Sequence, residues 1–316
     1  MFSASTGRAT LRAARAIHPF PSSFRPSVRN IATSTRQHTG RNGWRLAGAV
    51  GAAAAGYAAW ELKPELLPTP QPLHADAPPS RDTYIDPTTS TPFPSHVVSP
   101  DGTKLRLVGT GVRTVSFLSI RVYTVAFYVS ERELELAQQG KLAGWEGYTP
   151  ERLIPPYSIP EGEPKRLVGE ELVDSLLEKA DAAVVIVPLR NTGLTHLRDA
   201  FTRAILARMK IPRVVEAFTE EAHEASGAAL VEFKSFFPAA MNLKKGQPLT
   251  LYYSAVNRSV RFELQDDKTG APQTLGTFTE PLLSKELMVS YFSNTTAPSS
   301  ELVKSVAMGF NGEGRP

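Results

Sequence analysis

A run of prolines divides this 316-residue chain into an N-terminal part and a part that can fold around a core. Residues 63–96 hold nine prolines among threonine, serine and aspartate, and each proline removes a backbone donor that helices and sheets use. We therefore predict an extended tether at 63–96 and one globular domain at 97–310. A domain of that length is large enough to bury a single core.

The positive charge of the chain is concentrated at its N-terminus. Residues 1–60 contain eight arginines and no acidic residue, which leaves 27 basic residues against 31 acidic ones in the remainder. The folded part therefore lacks a basic footprint, and we expect no nucleic-acid partner. The chain has no cysteine, which excludes disulfides, thiolate zinc sites, iron–sulfur clusters and covalently attached haem.

Residues 1–31 have the composition of a mitochondrial transit peptide, since they are rich in arginine, serine and alanine and contain no acid. The sequence RNIATS places Arg29 at position −3 of a cut after Ile31, as at a processing site. The alternative is a disordered basic tail. We predict that 1–31 directs the protein to the mitochondrion.

A weakly hydrophobic segment follows at 43–62. Leu46 to Trp60 is uncharged, although it is shorter than the roughly 20 residues of a typical spanning helix. Trp44 lies at its N-terminal end, and Tyr57 and Trp60 lie at its C-terminal end, as aromatic anchors do at a membrane interface. Arginines flank only the N-terminal end. We predict a single inner-membrane span with the C-terminal domain in the intermembrane space. The alternative is an amphipathic or soluble linker helix.

The pattern of residues 97–310 predicts both strands and helices. Leu105 to Ser130 is predicted to form two strands with a turn near Leu118–Ser119, because apolar residues recur at every second position. Amphipathic helical segments follow, interrupted by the apolar run AAVVIVPL, which predicts a buried strand. A hairpin that turns at Asn257-Arg258 and two helices complete the domain. This order predicts the α+β class, with an antiparallel β-sheet packed against a layer of α-helices.

The first strand contains Gly109 and Gly111 ahead of Arg113. A phosphate loop needs glycines that open directly into a helix, whereas strand residues follow here, so nucleotide binding is not expected. We predict instead that the glycines allow a tight bend that aims Arg113. An arginine in this setting is often a surface residue, but a guanidinium fixed at a pocket mouth binds a carboxylate or phenolate through two hydrogen bonds.

The stretch GTGVR…SIRVYTVAFYV resembles the first sheet motif of the chalcone isomerase family, a Gly-x-Gly-x-Arg turn followed by a strand. The helix LTHLRDAFTR, the hairpin PLTLYYS…VRFEL and the final helix pair resemble later elements of that family in the same order. With its leader, the chain is most similar to the mitochondrial chalcone isomerase-like proteins of the altered-inheritance-of-mitochondria group. The resemblance implies a chalcone isomerase-like fold over 97–310.

The resemblance also implies roles for individual residues. Arg113 matches the arginine that anchors the developing oxyanion in the plant enzymes, while Tyr123 replaces their catalytic threonine. Their lysine, tyrosine and asparagine fall near Thr192, Phe201 and Arg208, so the enzymatic polar network is not recognisable. We therefore expect no chalcone isomerase activity. Fatty-acid-binding members of the fold use the matching arginine with a tyrosine partner, for which Arg113 and Tyr123 are the counterparts.

We predict that the domain binds an apolar anionic ligand, either haem b or a fatty acid. Arg113 would pair with its carboxylate, Tyr123 would donate a hydrogen bond, and Phe127 and Phe201 would line the apolar pocket. The mitochondrial members are associated with non-covalent haem b, for which His196 is the candidate axial ligand of the iron; the alternative for His196 is a polar residue in the first turn of a helix.

Two other functions stay open at this point. One is an intramolecular lyase or isomerase in which Arg113 stabilises an oxyanion. The other is a non-catalytic scaffold in the intermembrane space.

Overall fold

The computed structural model describes residues 82–115, 119–157, 166–266 and 268–313. The predicted transit peptide (1–31) and the predicted membrane span (43–62) lie outside these ranges. None of the helices within the described ranges has the length and apolar character that crossing a bilayer requires.

An antiparallel sheet of seven strands organises the described domain. In chain order, the strands of the described residues are β1 (Thr83–Ile85), β2 (Pro92–Pro94), β3 (His96–Val98), β4 (Lys104–Val115), β5 (Ile120–Ser130), β6 (Ala182–Pro188), β7 (Thr192–Gly193), β8 (Asn242–Leu243), β9 (Leu249–Ser254), β10 (Ser259–Gln265) and β11 (Pro272–Phe278). Four of them form two small sheets of two strands each, β1-β2 and β7-β8. The large sheet has the spatial order β11-β10-β9-β6-β5-β4-β3, and each neighbouring pair is antiparallel. The apolar run AAVVIVPL gives β6, which is buried along its whole length at the centre of the sheet, as predicted.

Helices pack against one face of this sheet. They are α1 (Glu131–Gln138), α2 (Glu170–Leu177), α3 (Leu194–Arg208), α4 (Pro212–Ala217), α5 (Glu220–Ser235), α6 (Pro281–Val289) and α7 (Ser300–Phe310). Alternate strand residues such as Ile186 join the helices in one large apolar core, while neighbours such as Val187 belong to a smaller cluster. The two clusters lie on opposite faces, because successive side chains of a strand point in opposite directions. The predicted α+β class with an antiparallel sheet is confirmed.

The predicted turns lie where the pattern placed them. Strand β4 ends at Val115 and β5 begins at Ile120, and Ser119 between them has a φ of 50°. Strands β9 and β10 meet through a turn in which Arg258 has a φ of 47°. The hairpin signals in the sequence were therefore sufficient to place both turns.

The structure corrects the predicted start of the domain. Residues 82–96, assigned to the tether, form β1, β2 and the beginning of β3. Phe93 is 1% exposed in the smaller apolar cluster, and the carboxylate of Asp86 accepts a hydrogen bond from the Thr110 hydroxyl at 2.8 Å. Prolines are tolerated in this hairpin because an edge strand need not donate from every backbone nitrogen.

Three glycines bring helix α7 against strand β4. A Cβ atom on Gly109 would lie 2.5 Å from a backbone nitrogen of α7, and one on Gly111 would lie 2.2 Å from the backbone nitrogen of Leu302. From the helix side, a Cβ on Gly309 would lie 1.9 Å from the carbonyl oxygen of Val108. Real Cβ atoms do not approach other atoms this closely, so glycine is required at each position.

The prediction that Gly109 and Gly111 form a tight bend is therefore wrong. Both lie within β4, and neither has a positive φ. Both positions require glycine for the space that it leaves to a neighbouring helix, and not for backbone freedom.

We expect Gly111→Ala to lower the free energy of unfolding by about 1–3 kcal/mol or more, because the added methyl group forces α7 away from β4. Gly227→Ala is the matched control, since Gly227 is exposed on α5 with nothing within 4 Å of an added Cβ. The control should be neutral or slightly stabilising, because alanine favours a helix more than glycine does. Urea unfolding followed by circular dichroism measures both; equal stabilities of the two variants would contradict the packing argument.

Candidate ligand-binding cleft

A cleft of about 280 Å³ lies between α3, the ends of β4 and β5, and the segment that follows α6. Its polar side chains come from all three walls: Arg113, Tyr123, Arg203, Arg208, Ser290 and Tyr291. Its apolar side chains are mostly small and come mostly from α3: Leu197, Ala200, Phe201, Ala204 and Ala207. The volume is near the lower end of the range for small-molecule sites.

The position of Arg113 follows from the packing of α7 on β4. Gly111 contacts the first turn of α7 at Leu302, and Arg113 is the next residue of β4 on the same face, about 7 Å further along the strand. The helix begins at Ser300, and Pro298 just before it lines the cleft. The side chain of Arg113 therefore emerges where the helix no longer covers the strand.

Two buried tyrosines accompany this arginine. Tyr123 pairs with Arg113 across β4 and β5 and is 8% exposed, and Tyr291 in the short helix after α6 is 3% exposed. Burial raises the pKa of the Tyr123 phenol, although the charge of the Arg113 guanidinium and a hydrogen bond from it partly offset this effect. Burial and the neighbouring Tyr123 raise the pKa of Tyr291 well above its ordinary value, against the influence of Arg113. Both phenols therefore stay protonated at neutral pH and can act as hydrogen-bond donors.

The donors at this end of the cleft are not used up by the protein itself. The hydroxyl of Tyr291 is buried and has no hydrogen-bond partner among the described residues. Arg113 takes part in none of the ion pairs formed within the described part of the chain. A half-buried guanidinium and a buried phenol thus face the cleft with unused hydrogen-bonding capacity.

Helix α3 forms the apolar wall. Ala200, Ala204 and Ala207 recur at helical spacing and leave the space that larger side chains would fill. Phe201 also lines the cleft, as predicted, and is held from behind by Phe237, with the two ring centroids 5.9 Å apart. The cleft therefore combines a cationic, donor-rich end with an apolar wall.

The structure does not bring Phe127 and His196 to this cleft. Phe127 is fully buried in the core and packs edge-on against Phe292, with ring centroids 4.8 Å apart. It lies four residues from Tyr123 on β5, about 13 Å along the strand. His196 is exposed on the first turn of α3, whereas the next residue, Leu197, lines the cleft. Adjacent helical residues point about 100° apart, which accounts for the difference.

Haem b does not fit the residues of the cleft. The side chains that line it include no histidine and no methionine, the neutral side chains that commonly bind haem iron. Within the described part of the chain, no cluster of histidine and acidic residues could hold a metal ion. Of the predicted site residues, the structure assembles Arg113, Tyr123 and Phe201.

Sequence reasoning missed a buried ion network next to the cleft. Arg208 at the end of α3 is 2% exposed; its Nε donates to Glu286 and its Nη1 to Glu170, each at 2.7 Å. Glu286 is fully buried and also accepts from Arg213 at 2.8 Å. The sequence spacing could have indicated that Arg208 is buried. Arg208 follows the buried Phe201 by seven residues, or two helical turns, and so lies on the same face of the helix.

The guanidinium of Arg208 stays charged in this buried position. Burial alone would lower the pKa of Arg208, but the hydrogen bonds and charges of Glu170 and Glu286 outweigh burial and raise it. Asp174 extends the network, since it pairs with Arg213 at 3.3 Å and with Lys285 at 3.1 Å. The network joins α2, α3, α4 and α6, and so fixes the helices that border the cleft.

Comparisons with known proteins identified a family model, related sequences and a similar solved structure. A family model described as "Chalcone isomerase like" matches residues 103–307. The chain is similar to the Eremothecium gossypii protein named Altered inheritance of mitochondria protein 18, mitochondrial, with 30% identity over 225 residues that cover 68% of this chain and 70% of the relative. A protein of the same name from Debaryomyces hansenii is 26% identical over 233 residues, covering 70% and 73%. Among solved structures, an Arabidopsis thaliana fatty-acid binding protein gives a TM-score of 0.48 at 16% identity, covering 73% of this chain and 100% of that chain.

We expect Glu286→Gln to lower the free energy of unfolding by about 3–5 kcal/mol, because it leaves two arginines without their shared buried carboxylate. Glu131→Gln is the control, since Glu131 is 36% exposed and pairs with Lys104 at 3.4 Å on the surface. Loss of that pair should cost at most about 1 kcal/mol. Chemical denaturation at neutral pH compares the two, and a larger loss for the surface variant would contradict the assignment.

We expect stability to fall as the pH rises above about 10, the ordinary pKa of tyrosine. The folded pKa of Tyr291 is raised above the unfolded one, so its contribution is fully present below that pH and is lost as the pH rises towards the folded value. Tyr291→Phe should therefore lose less stability than the unmutated protein over this alkaline range. Urea unfolding at a series of pH values measures the difference, and identical slopes would show that the phenol is not buried in the folded protein.

Proposed function

The chain belongs to the chalcone isomerase-like family, and we propose that its cleft binds an apolar carboxylate of the fatty-acid type without converting a chalcone. The observation that carries the proposal is Arg113, a half-buried guanidinium with no carboxylate partner in the described chain, beside the protonated phenols of Tyr123 and Tyr291. A carboxylate would supply the missing negative charge and the missing acceptors together.

The donor geometry suits a carboxylate head group. A carboxylate has two oxygens that accept several hydrogen bonds, including a pair from one guanidinium. Arg113 can donate two of these, and Tyr123 and Tyr291 can donate from their hydroxyls. The apolar tail would then lie along the Ala200–Ala207 face of α3, where burial of apolar surface stabilises the complex.

The side chains of the cleft favour binding over catalysis. General acid–base chemistry needs a group whose pKa lies near the working pH. The residues that line the cleft include no histidine, aspartate, glutamate or lysine, and the pKa values of its two phenols are raised away from neutrality. Arg113 could stabilise an oxyanion, but the side chains that line the cleft offer it no partner whose pKa lies near neutrality.

We also propose that the protein acts in the mitochondrion. The fungal relatives are named as mitochondrial proteins, and residues 1–31 have the composition of a transit peptide. A membrane span at 43–62 would hold the domain at the inner membrane, facing the intermembrane space. Import of the full chain into isolated mitochondria, followed by carbonate extraction and protease protection, tests this placement.

We expect Arg113→Ala to weaken fatty-acid binding at least about thirtyfold, the loss that follows truncation of one partner of a buried charge pair. Arg132→Ala is the matched control, because the side chain of Arg132 is 85% exposed on α1 and is not part of the cleft. Displacement of a fluorescent fatty acid from the purified protein gives the affinity of each variant.

Two further measurements use the same purified proteins. The methyl ester of the acid should bind as weakly to the unmutated protein as the acid binds to Arg113→Ala, since both lack the ion pair. Added haem should give no Soret band of an iron bound by a protein side chain. Equal affinity of the acid for the Arg113→Ala variant and the unmutated protein would refute the proposal.

A further inference from the structure

Arg208, which lines the cleft, also holds an unused donor. Its Nε and Nη1 donate to Glu286 and Glu170, whereas its Nη2 is buried and has no acceptor among the described residues. Native structures leave few buried donors without an acceptor, and such a donor in the wall of a cleft calls for an explanation. A bound ligand that brings its own acceptor would supply one.

The charge around Arg208 restricts what that acceptor can be. Four basic side chains of the network face four carboxylates: Arg208, Arg213, Arg258 and Lys285 against Glu170, Asp174, Glu178 and Glu286. The network is therefore balanced, in contrast to Arg113. A second carboxylate at Arg208 would approach Glu170 and Glu286 and be repelled, whereas a neutral oxygen would not.

The two donors lie on different walls of the cleft. Arg113 is on the sheet, while Arg208 is the last residue of α3. One side chain can therefore bind the head group while the other contacts a different part of the same ligand. The alanines of α3 supply the apolar surface for the rest of its chain.

We propose that the preferred ligand is an oxygenated fatty acid, in which a hydroxyl or keto oxygen on the apolar chain accepts a hydrogen bond from Nη2 of Arg208. This inference rests on the proposed function, because the carboxylate of the same molecule binds at Arg113. Because its network is balanced, Arg208 favours a neutral oxygen of the ligand, whereas Arg113 favours the negatively charged carboxylate.

The test compares ligands on the unmutated, full-length protein. The affinity of each ligand is measured by displacement of a fluorescent fatty acid. The ligands are hexadecanoic acid, hexadecanoic acids with a hydroxyl or keto group at successive chain positions, hexadecanedioic acid and methyl hexadecanoate. A hydroxyl on the chain normally weakens binding to an apolar wall, because it loses hydrogen bonds to water. We expect one narrow range of oxygen positions to bind about tenfold more tightly than the plain acid, as a hydrogen bond to a charged donor allows.

Arg208→Lys separates the role of Nη2 from that of the ion pairs. Lysine keeps a positive charge for Glu170 and Glu286 but lacks the second terminal nitrogen of the guanidinium. This variant should lose the tenfold preference, so that plain and oxygenated hexadecanoic acids bind it with similar affinity. If the variant fails to fold, as circular dichroism would show, the positional series on the unmutated protein decides alone.

The outcomes are distinguishable. Equal binding of plain and oxygenated acids, with methyl hexadecanoate still weak, overturns this inference and leaves the proposed function standing. Tightest binding of the diacid overturns the requirement for a neutral oxygen. Equal binding of acid and methyl ester overturns the proposed function, and this inference falls with it.

Discussion

The close contact between strand β4 and helix α7 determines where the cleft opens. Without side chains at Gly109, Gly111 and Gly309, backbone packs directly against backbone, and the helix is held at a distance that no other residue would permit. Because α7 covers β4 only as far as Gly111, the strand continues beyond the end of the helix. The cleft opens at that point, and Arg113 is the first residue to enter it.

Two arginines border the same cleft under opposite electrostatic conditions. Arg208 is neutralised by Glu170 and Glu286, and the network that surrounds it ties four helices together. Arg113 has no such partner within the described residues, although it is half-buried. A charge that folding leaves uncompensated is destabilising unless a ligand compensates it, whereas a compensated one stabilises the scaffold that holds the ligand. Arg208 and Arg113 thus differ chiefly in whether the guanidinium has carboxylate partners within the described residues.

Much of the fold could be predicted from local patterns. The alternation of apolar residues around Tyr123 predicted two of the central strands, and the turn residues Asn257-Arg258 predicted the second hairpin. The family resemblance identified Arg113, Tyr123 and Phe201 as neighbours, which they are. Contacts between distant segments could not be predicted in this way. Tyr291 reaches the cleft only through the packing of α6, and the exposure of His196 depends on how α3 is rotated on the sheet, so neither follows from a single stretch of sequence.

The N-terminal hairpin determines how a tethered domain would bear force. Asp86 is fixed to Thr110, whose side chain points to the face of β4 opposite Gly109 and Gly111. Tension transmitted from the preceding chain would therefore reach the sheet at its rear, on the very strand that carries Arg113, and would be shared across long antiparallel strands loaded side by side. A force applied at residue 82 would therefore load β4 from the face opposite the cleft.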